Sequence, residues 1–389
     1  MNIAKTSLPT QNGVMRQVLG LLLSMRVTTF AMCAAGLIVR AAVAAEVTDA
    51  SPPPPGKLVD IGGYKLHIWC MGNESDSPAV VMLPGAGDFS FTWGLVLPEV
   101  AKFTQACSYD KAGNAWSEAG PFPRTLKQEA HELHLLLEKA GVKGPYVLVG
   151  ASAGGPLARV FAREYRDEFA GMVLVDSTDP DTVQGRKVNG KNVNFRVRED
   201  SKGREVPPVQ TLQSSRPDPL TTEEQERYDR YRKRQAENPQ QIYRPHDRLP
   251  LELQRMDVWA RSHMNPVLFK KDNPFEPEEY QALYEESLRE EPPLGDKPLI
   301  VLISGDRARK VNDQKKNTAP PDITQEEWDR VSEEKRLQKF AAALWSRNGK
   351  YIVIESGHEI HLYQPAWVID AIRQVVELAR KQARPNPPN

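Results

Sequence analysis

Short apolar runs, each of a length that suits one buried β-strand, alternate with stretches of helical periodicity in two parts of the chain. The apolar runs cover residues 57–61, 64–70, 79–83, 104–109, 146–149, 171–175, 298–303 and 351–354. Helical patterns cover residues 126–140, 324–346 and 368–379 and a stretch that begins at 154. In the helix over 324–346 we expect four side chains to face inward, namely Trp328, Leu337, Phe340 and Leu344. This alternation predicts an α/β fold with an eight-stranded, mostly parallel sheet and helices on both faces.

The pattern changes over residues 181–297, between the sixth and seventh predicted strands. Residues 184–220 hold few large apolar side chains, which predicts an extended or mobile loop. Thr221 and Glu224 then have the spacing of a capping box at the start of a charged helix. Helices are expected over 221–238, 249–263 and 277–289. We therefore predict a helical cap inserted between two halves of one core.

The two ends of the chain differ in composition from this core, whose halves are assigned to residues 57–180 and 298–380. Residues 1–45 contain no acidic residue, and they combine basic residues, an apolar run and a small-residue cleavage pattern. These features predict a signal peptide and an exported protein, with an uncleaved N-terminal membrane anchor as the alternative. Residues 46–56 are predicted to be a Pro-rich linker, and residues 381–389 a disordered tail.

Charge and cysteine usage exclude several classes of function. The 389 residues carry 51 basic and 51 acidic side chains, so the formal net charge is zero. That balance predicts no nucleic-acid partner and gives no reason to expect a polyanionic substrate. Cys70 and Cys107 have no His or Cys nearby at metal-ligand spacing, so we expect neither a metal site nor a cofactor. A membrane contact is expected only through a retained N-terminal segment, and the composition does not indicate an oligomeric state.

The strongest chemical signal is a Gly-x-Ser-x-Gly turn centred on Ser152. An apolar run precedes Gly150, and a helical pattern with Pro156 in its first turn follows Gly154. A sharp strand-to-helix turn of this kind lifts a serine hydroxyl clear of the sheet. We therefore predict that Ser152 is a nucleophile.

A serine hydroxyl needs a base before it can attack. His358 follows the last predicted strand directly, at the edge where open α/β sheets build their sites. His361 lies nearer the last helix and is the weaker candidate. The remaining histidines are expected to be structural, although His246 or His263 could line the cap.

A tetrahedral intermediate also needs two backbone N–H donors. The first is predicted to be Ala153, which follows the nucleophile. The second is predicted to be Ala86, within the LPGAG turn after the third strand.

These features together resemble the α/β-hydrolase-fold serine hydrolases. The resemblance covers about residues 57–180 and 298–380, and five segments carry it in the family's order: LPGAG, SYDKAGNAWS, VGASAGG, FAGMVLVDS and ESGHEIHLYQP. Members usually show His before the nucleophile and before the glycine of the oxyanion turn. Here those positions hold Ala151 and Pro84, which changes the pocket wall but removes no group that the mechanism needs.

The resemblance implies hydrolysis of a carboxylic ester or related acyl bond of a small molecule through an acyl-Ser152 intermediate. Ser at the elbow disfavours the epoxide hydrolase and haloalkane dehalogenase branches, which need a carboxylate there. A C–C bond hydrolase, a lactonase or an amidase would use the same residues. A catalytically silent protein of this fold, serving as a binding module, is the alternative class.

The acid that orients His358 has two candidates. Relatives usually carry it after the seventh strand, where this chain reads SGDRA, so that Ala308 stands at the usual position and Asp306 two residues early. Some branches place it after the sixth strand instead, where this chain has Asp176 and, as a lesser rival, Asp179. We predict Asp176, with Asp306 as the alternative.

The resemblance also makes the second and fourth strands neighbours, and these strands carry Cys70 and Cys107. An oxidising compartment would allow the two residues to pair. The alternative is two buried thiols that do not react.

Overall fold

A computed structural model describes residues 51–73, 78–188, 191–210, 219–238, 241–270, 273–305, 319 and 323–383. The predicted signal peptide or anchor at 1–45 lies outside these residues, as do the alternative acid Asp306 and most of the predicted tail. Among the described helices, none has both the length and the apolar character needed to span a bilayer.

Eight strands form one sheet. They are β1 Lys57–Asp60, β2 Lys65–Met71, β3 Ala79–Leu83, β4 Ala106–Tyr109, β5 Tyr146–Ala151, β6 Phe169–Val175, β9 Leu299–Ser304 and β10 Gly349–Ile354. Their order in the sheet is β1-β2-β4-β3-β5-β6-β9-β10. Strand β2 pairs antiparallel with β1 and β4, and the other neighbouring strands are parallel. The predicted eight-stranded, mostly parallel sheet is confirmed.

Helices cover both faces of this sheet, and each face has its own apolar core. The α-helices are α1 Leu97–Val100, α2 Leu126–Ala140, α3 Gly154–Glu164, α4 Thr222–Glu237, α5 Leu251–Ser262, α6 Glu276–Ser287, α7 Gln325–Ala341, α8 Ile360–Tyr363 and α9 Pro365–Ala383. Short 3₁₀ helices cover Ser90–Trp93, Arg166–Glu168, Val197–Asp200, His246–Arg248, Pro266–Phe269 and Ala342–Trp345. Because α9 continues to Ala383, the first three residues of the predicted tail are helical.

The extended or mobile loop predicted over residues 184–220 is wrong in its first part. Strands β7 Val183–Val188 and β8 Lys191–Arg196 form an antiparallel hairpin there. The two strands pair from Val183 opposite Arg196 to Val188 opposite Lys191. At the open end of the hairpin Asp181 forms ion pairs with Arg196 and Arg198. Asn189-Gly190, between the two strands, was the sequence signal for a hairpin.

The inward-facing residues expected in the helix over 324–346 also need correction. Leu337 and Leu344 are 56% and 76% exposed, whereas Phe340 is half-buried and packs edge-on against Tyr351. The α-helix ends at Ala341, and a 3₁₀ helix follows. The change of helical period after Ala341 leaves Leu344 exposed and buries Ala342, Ala343 and Trp345. Leu337 lies before that change, on the exposed face of α7.

Arg159 connects the helix behind the candidate nucleophile to two later parts of the chain. This side chain on α3 is 1% exposed, and its Nη2 donates to the carbonyl of Leu283 at 3.0 Å. The same nitrogen lies 3.6 Å from a carboxylate oxygen of Glu286, and the guanidinium stacks over Trp345. Burial lowers the pKa of Arg159 to about 10, although Glu286 opposes that shift. The guanidinium is therefore a buried charge that depends on these partners.

Cys70 and Cys107 stand opposite each other in the register of β2 and β4. The structure joins them in a disulfide bond that closes a loop of sequence separation 37.

Candidate active site

The Gly-x-Ser-x-Gly segment forms a sharp turn between β5 and α3. Ser152 has a φ of 48°, which for a residue other than glycine costs on the order of 1–3 kcal/mol. The surrounding backbone holds this conformation, because the Ser152 N–H donates to Val175 at 3.2 Å and its carbonyl accepts from Thr178 at 3.0 Å. The turn places the half-buried Ser152 side chain at the carboxyl edge of the sheet.

Two positions of the turn must be glycine because neighbouring atoms approach them closely. A Cβ at Gly154 would lie 2.4 Å from the carbonyl oxygen of Leu83 at the end of β3. A Cβ at Gly155 would lie 1.6 Å from the hydroxyl of Ser177. Any larger residue at either position would therefore push α3 away from the sheet and move Ser152.

The LPGAG turn faces Ser152 from the end of β3. A Cβ at Gly85 would lie 3.2 Å from the Cβ of Ser152, so the two turns are in close contact. Ala86 lines the same cavity as Ser152, and Ala153 begins the turn into α3. In the part of the chain that the structure describes, neither alanine N–H donates a hydrogen bond to a protein acceptor. Neither N–H is thus committed to another acceptor among the described residues.

His358 and Asp176 come together at the same edge of the sheet. Nδ1 of His358 lies 2.6 Å from Oδ2 of Asp176, which follows β6 directly. Oδ1 of Asp176 accepts from the N–H of Ser304 at 3.0 Å and lies 2.7 Å from Nζ of Lys339. Asp179, the lesser rival, is hydrogen-bonded to the N–H of Asp181 instead.

Asp176 is fully buried and still ionised. Burial opposes its charge, but Lys339 and His358 together hold the pKa of the Asp176 carboxyl well below its usual range. The carboxylate therefore accepts from His358 Nδ1, which leaves Nε2 as the nitrogen free to act on another group.

Ser152, Ala86 and His358 line one cavity of about 260 Å³. Ala153 is not among its lining residues. The other lining residues are Gly87, Asp88, Ala151, Val175, Tyr243, Arg244, His246, Arg261, Glu359 and His361. Most of these side chains are polar or charged, so the cavity is not an apolar tunnel. Of the two histidines expected near the cap, His246 lines the cavity and His263 does not.

A cluster of charged side chains forms one wall of this cavity. Nε2 of His246 lies 3.3 Å from Glu359 and 3.9 Å from Asp88, while Nδ1 lies 3.2 Å from the buried Asp257. Although burial opposes the charge, Asp257 and Glu359 raise the pKa of His246 to about 9. Nε of Arg261 donates to Asp257 at 2.9 Å, and its Nη2 lies 3.5 Å from His246.

Among the described residues, three members of this cluster have the spacing of a candidate metal site. Asp88, His246 and Glu359 place one donor atom each within 4.8 Å of one another. The protonated His246 and the guanidinium of Arg261 already supply two cations at this place. We therefore assign the cluster as an ion-pair network. Sequence reasoning missed Asp88, Arg261 and Glu359, because no local motif marks them.

Two further groups of polar side chains, one around His361 and one around His67, are buried. His361 is fully buried against Trp93, and burial lowers its pKa to about 3, so its ring is neutral. His67 lies 2.7 Å from Asp110, which also accepts from the N–H of Ser90 at 2.7 Å. All three of these side chains are fully buried, so the second Ser, His and Asp set is out of reach of a substrate.

The fold and this site agree with comparisons to known proteins. The model of the alpha/beta hydrolase family matches residues 80–371, which is most of the chain. The chain belongs to the alpha/beta hydrolase family. The predicted resemblance is thus confirmed at the level of family and fold.

Two uncharacterized relatives of this alpha/beta hydrolase match part of the chain. A Saccharomyces cerevisiae protein described as an uncharacterized vacuolar membrane protein is 32% identical over 29% of this chain and 20% of its own length. The Bacillus subtilis protein YqjL, also uncharacterized, is 32% identical over 31% of this chain and 47% of its own length. The matched part therefore spans less than half of either relative.

Solved structures show the same fold at low identity. Cfl2 from Burkholderia cenocepacia is 14% identical, with a TM-score of 0.53 over 82% of this chain and 95% of its own. The epoxide hydrolase CorEH is 14% identical, with a TM-score of 0.51 over 83% of this chain and 98% of its own. The enol-lactonase from Burkholderia xenovorans LB400 is 14% identical, with a TM-score of 0.50 over 82% of this chain and all of its own.

Proposed function

We propose that this alpha/beta hydrolase is a serine hydrolase that cleaves a carboxylic ester or related acyl bond through an acyl-Ser152 intermediate. The observation that carries the proposal is the 2.6 Å contact of His358 Nδ1 with Asp176, beside a cavity that both His358 and Ser152 line. Asp176 is the acid of the proposed triad.

In the proposed reaction, Nε2 of His358 accepts the proton of the Ser152 hydroxyl while the oxygen attacks the acyl carbon. The imidazolium formed is stabilised by the ionised Asp176. His358 then gives the proton to the leaving alcohol, and a water molecule activated by the same imidazole releases the acid.

The developing oxyanion needs two donors that are already in place before the reaction. The N–H groups of Ala86 and Ala153 have this role in the proposal, and the contact of Gly85 with Ser152 supports it. Removing a donor of this kind typically costs about 10²–10³ in turnover number.

The inserted segment 181–297 is proposed to act as a cap. The side chains that support this role are Tyr243, Arg244, His246 and Arg261, which all line the cavity with Ser152. A cavity of about 260 Å³ with charged walls favours short, polar acyl groups over long fatty chains.

Export of the protein is likewise proposed. The Cys70–Cys107 bond supports it, because disulfides persist chiefly in oxidising compartments.

The test of the proposed activity is hydrolysis of p-nitrophenyl esters from acetate to palmitate, compared between the wild type and Ser152→Ala. We expect the acetate and butyrate esters to react fastest, and the variant to lose roughly 10³-fold or more in turnover number. Ser262→Ala, in the insertion and away from the cavity lining, is the matched control. Retention of more than about a tenth of the activity in Ser152→Ala would identify a different nucleophile.

A further inference from the structure

The carboxylate of Asp176 contacts an ammonium group as well as the imidazole of His358. Nζ of Lys339, on helix α7, lies 2.7 Å from Oδ1, and the Lys339 side chain is 14% exposed. The other carboxylate oxygen faces His358 at 2.6 Å. The triad described above needs only the second contact, so the ammonium group is an additional charge at the acid.

We propose that Lys339 is a positioning residue that acts through Asp176 and extends the reactivity of Ser152 to lower pH. This inference rests on the proposed serine hydrolase function, because it concerns the proton that His358 takes from Ser152.

The physical argument is electrostatic. When His358 accepts a proton, the imidazolium is attracted by the carboxylate and repelled by the ammonium on the opposite carboxylate oxygen. The carboxylate between the two positive charges is buried, whereas the His358 side chain is 52% exposed, so solvent screens part of their repulsion. The repulsion makes the imidazolium less stable than it would be beside Asp176 alone, which favours the neutral imidazole that can accept a proton from Ser152.

Lys339 also fixes the direction of the acid. Together with the N–H of Ser304, its ammonium group occupies Oδ1 and leaves Oδ2 for His358. A structural role of this kind predicts a loss of rate at every pH. The electrostatic role predicts a displaced pH profile, and this difference separates the two.

Other charged and titratable groups surround the triad and must be distinguished from Lys339. Those that share the cavity with His358 are Asp88, Arg244, His246, Arg261, Glu359 and His361. None of them contacts Lys339 in the part of the chain that the structure describes, so they act equally in the wild type and in a Lys339 variant. Asp179 does feel this lysine: burial raises its pKa to about 6, and Lys339 is one of the charges that oppose the rise.

The experiment measures the second-order rate of covalent labelling of the full protein by a fluorophosphonate probe between about pH 5 and about pH 9. The variants are Lys339→Met, Lys339→Gln and Lys339→Arg. Lys102→Met is the control, because that lysine pairs with Glu99 on the surface.

Loss of the charge in Lys339→Met should displace the acidic limb of the pH–rate profile of labelling to higher pH, by on the order of one pH unit. Lys339→Gln should give the same displacement, and Lys339→Arg should restore the wild-type limb. The displacement should persist when Asp179→Asn is introduced into both proteins, which removes the titration of that carboxyl.

An unchanged limb in Lys339→Met and Lys339→Gln, or an equal displacement in Lys339→Arg, overturns the inference. If Lys339→Met does not fold, the Lys339→Gln profile decides. Absence of labelling at Ser152 in the wild type contradicts the proposed function itself, whereas normal labelling with an undisplaced limb contradicts only the role of Lys339.

Discussion

The Cys70–Cys107 bond should contribute a large share of the stability of the folded unit. The bond joins neighbouring strands across a sequence separation of 37 residues. In the chain-entropy account, closing a loop of that length lowers the entropy of the unfolded state enough to stabilise the fold by about 4 kcal/mol. We therefore expect the double variant Cys70→Ala/Cys107→Ala to lose about 4 kcal/mol of unfolding free energy.

Urea unfolding followed by tryptophan fluorescence measures this loss. The midpoint of the double variant should fall by roughly 1 M or more relative to the oxidised wild type. The control is reductant, which should lower the midpoint of the wild type to that of the variant and leave the variant unchanged. Equal midpoints, or free thiols at both positions after alkylation of exported protein without reductant, would refute the reasoning.

Three further outcomes are expected from single substitutions. Asp176→Asn should lower the rate of fluorophosphonate labelling by about 10⁴-fold, because the imidazole loses the partner that fixes its tautomer. If Asp306→Asn were labelled just as slowly, the assignment of Asp176 as the acid would be contradicted. Arg159→Met should cost about 3–5 kcal/mol of unfolding free energy, since it leaves a buried carboxylate without its cation, whereas the more exposed Arg163→Met should change the urea midpoint little. Burial raises the pKa of the Asp179 carboxyl to about 6, above the value of this group in the unfolded chain. The stability that the protonated carboxyl contributes is therefore complete below the unfolded pKa and is lost as the pH rises through about 6. Asp179→Asn should therefore match the wild type near pH 4 and be more stable by about 2–3 kcal/mol near pH 8, with a higher urea midpoint there; equal midpoints at both pH values would contradict this.

The sequence predicted best those elements whose signals are local. Strand β3 matches its predicted bounds because its five residues form a continuous apolar run that is buried throughout. Helix α2 matches because Thr125 caps its start through the N–H of Gln128, and Gly141, with a φ of 77°, ends it. The turn at Ser152 belongs with these, since the Gly-x-Ser-x-Gly segment is itself a local sequence signal.

Features that depend on distant partners were not predictable from the sequence. The charged wall of the cavity needs Asp88, His246 and Glu359 to meet from three separate parts of the chain. The choice between two candidate acids is similar, because only the spatial position of β6 brings Asp176 to His358. Strands β7 and β8 were missed because their polar composition predicts a loop, although Asn189-Gly190 between them is a hairpin signal.

The most direct measurement of the central claim is the site of covalent labelling by a fluorophosphonate probe, located by peptide mass spectrometry on the intact folded protein. The account predicts stoichiometric modification of Ser152, no modification in Ser152→Ala, and slow modification in His358→Ala. Labelling at another serine, or an unlabelled Ser152 in folded protein near neutral pH, would contradict the assignment of Ser152 as an activated nucleophile.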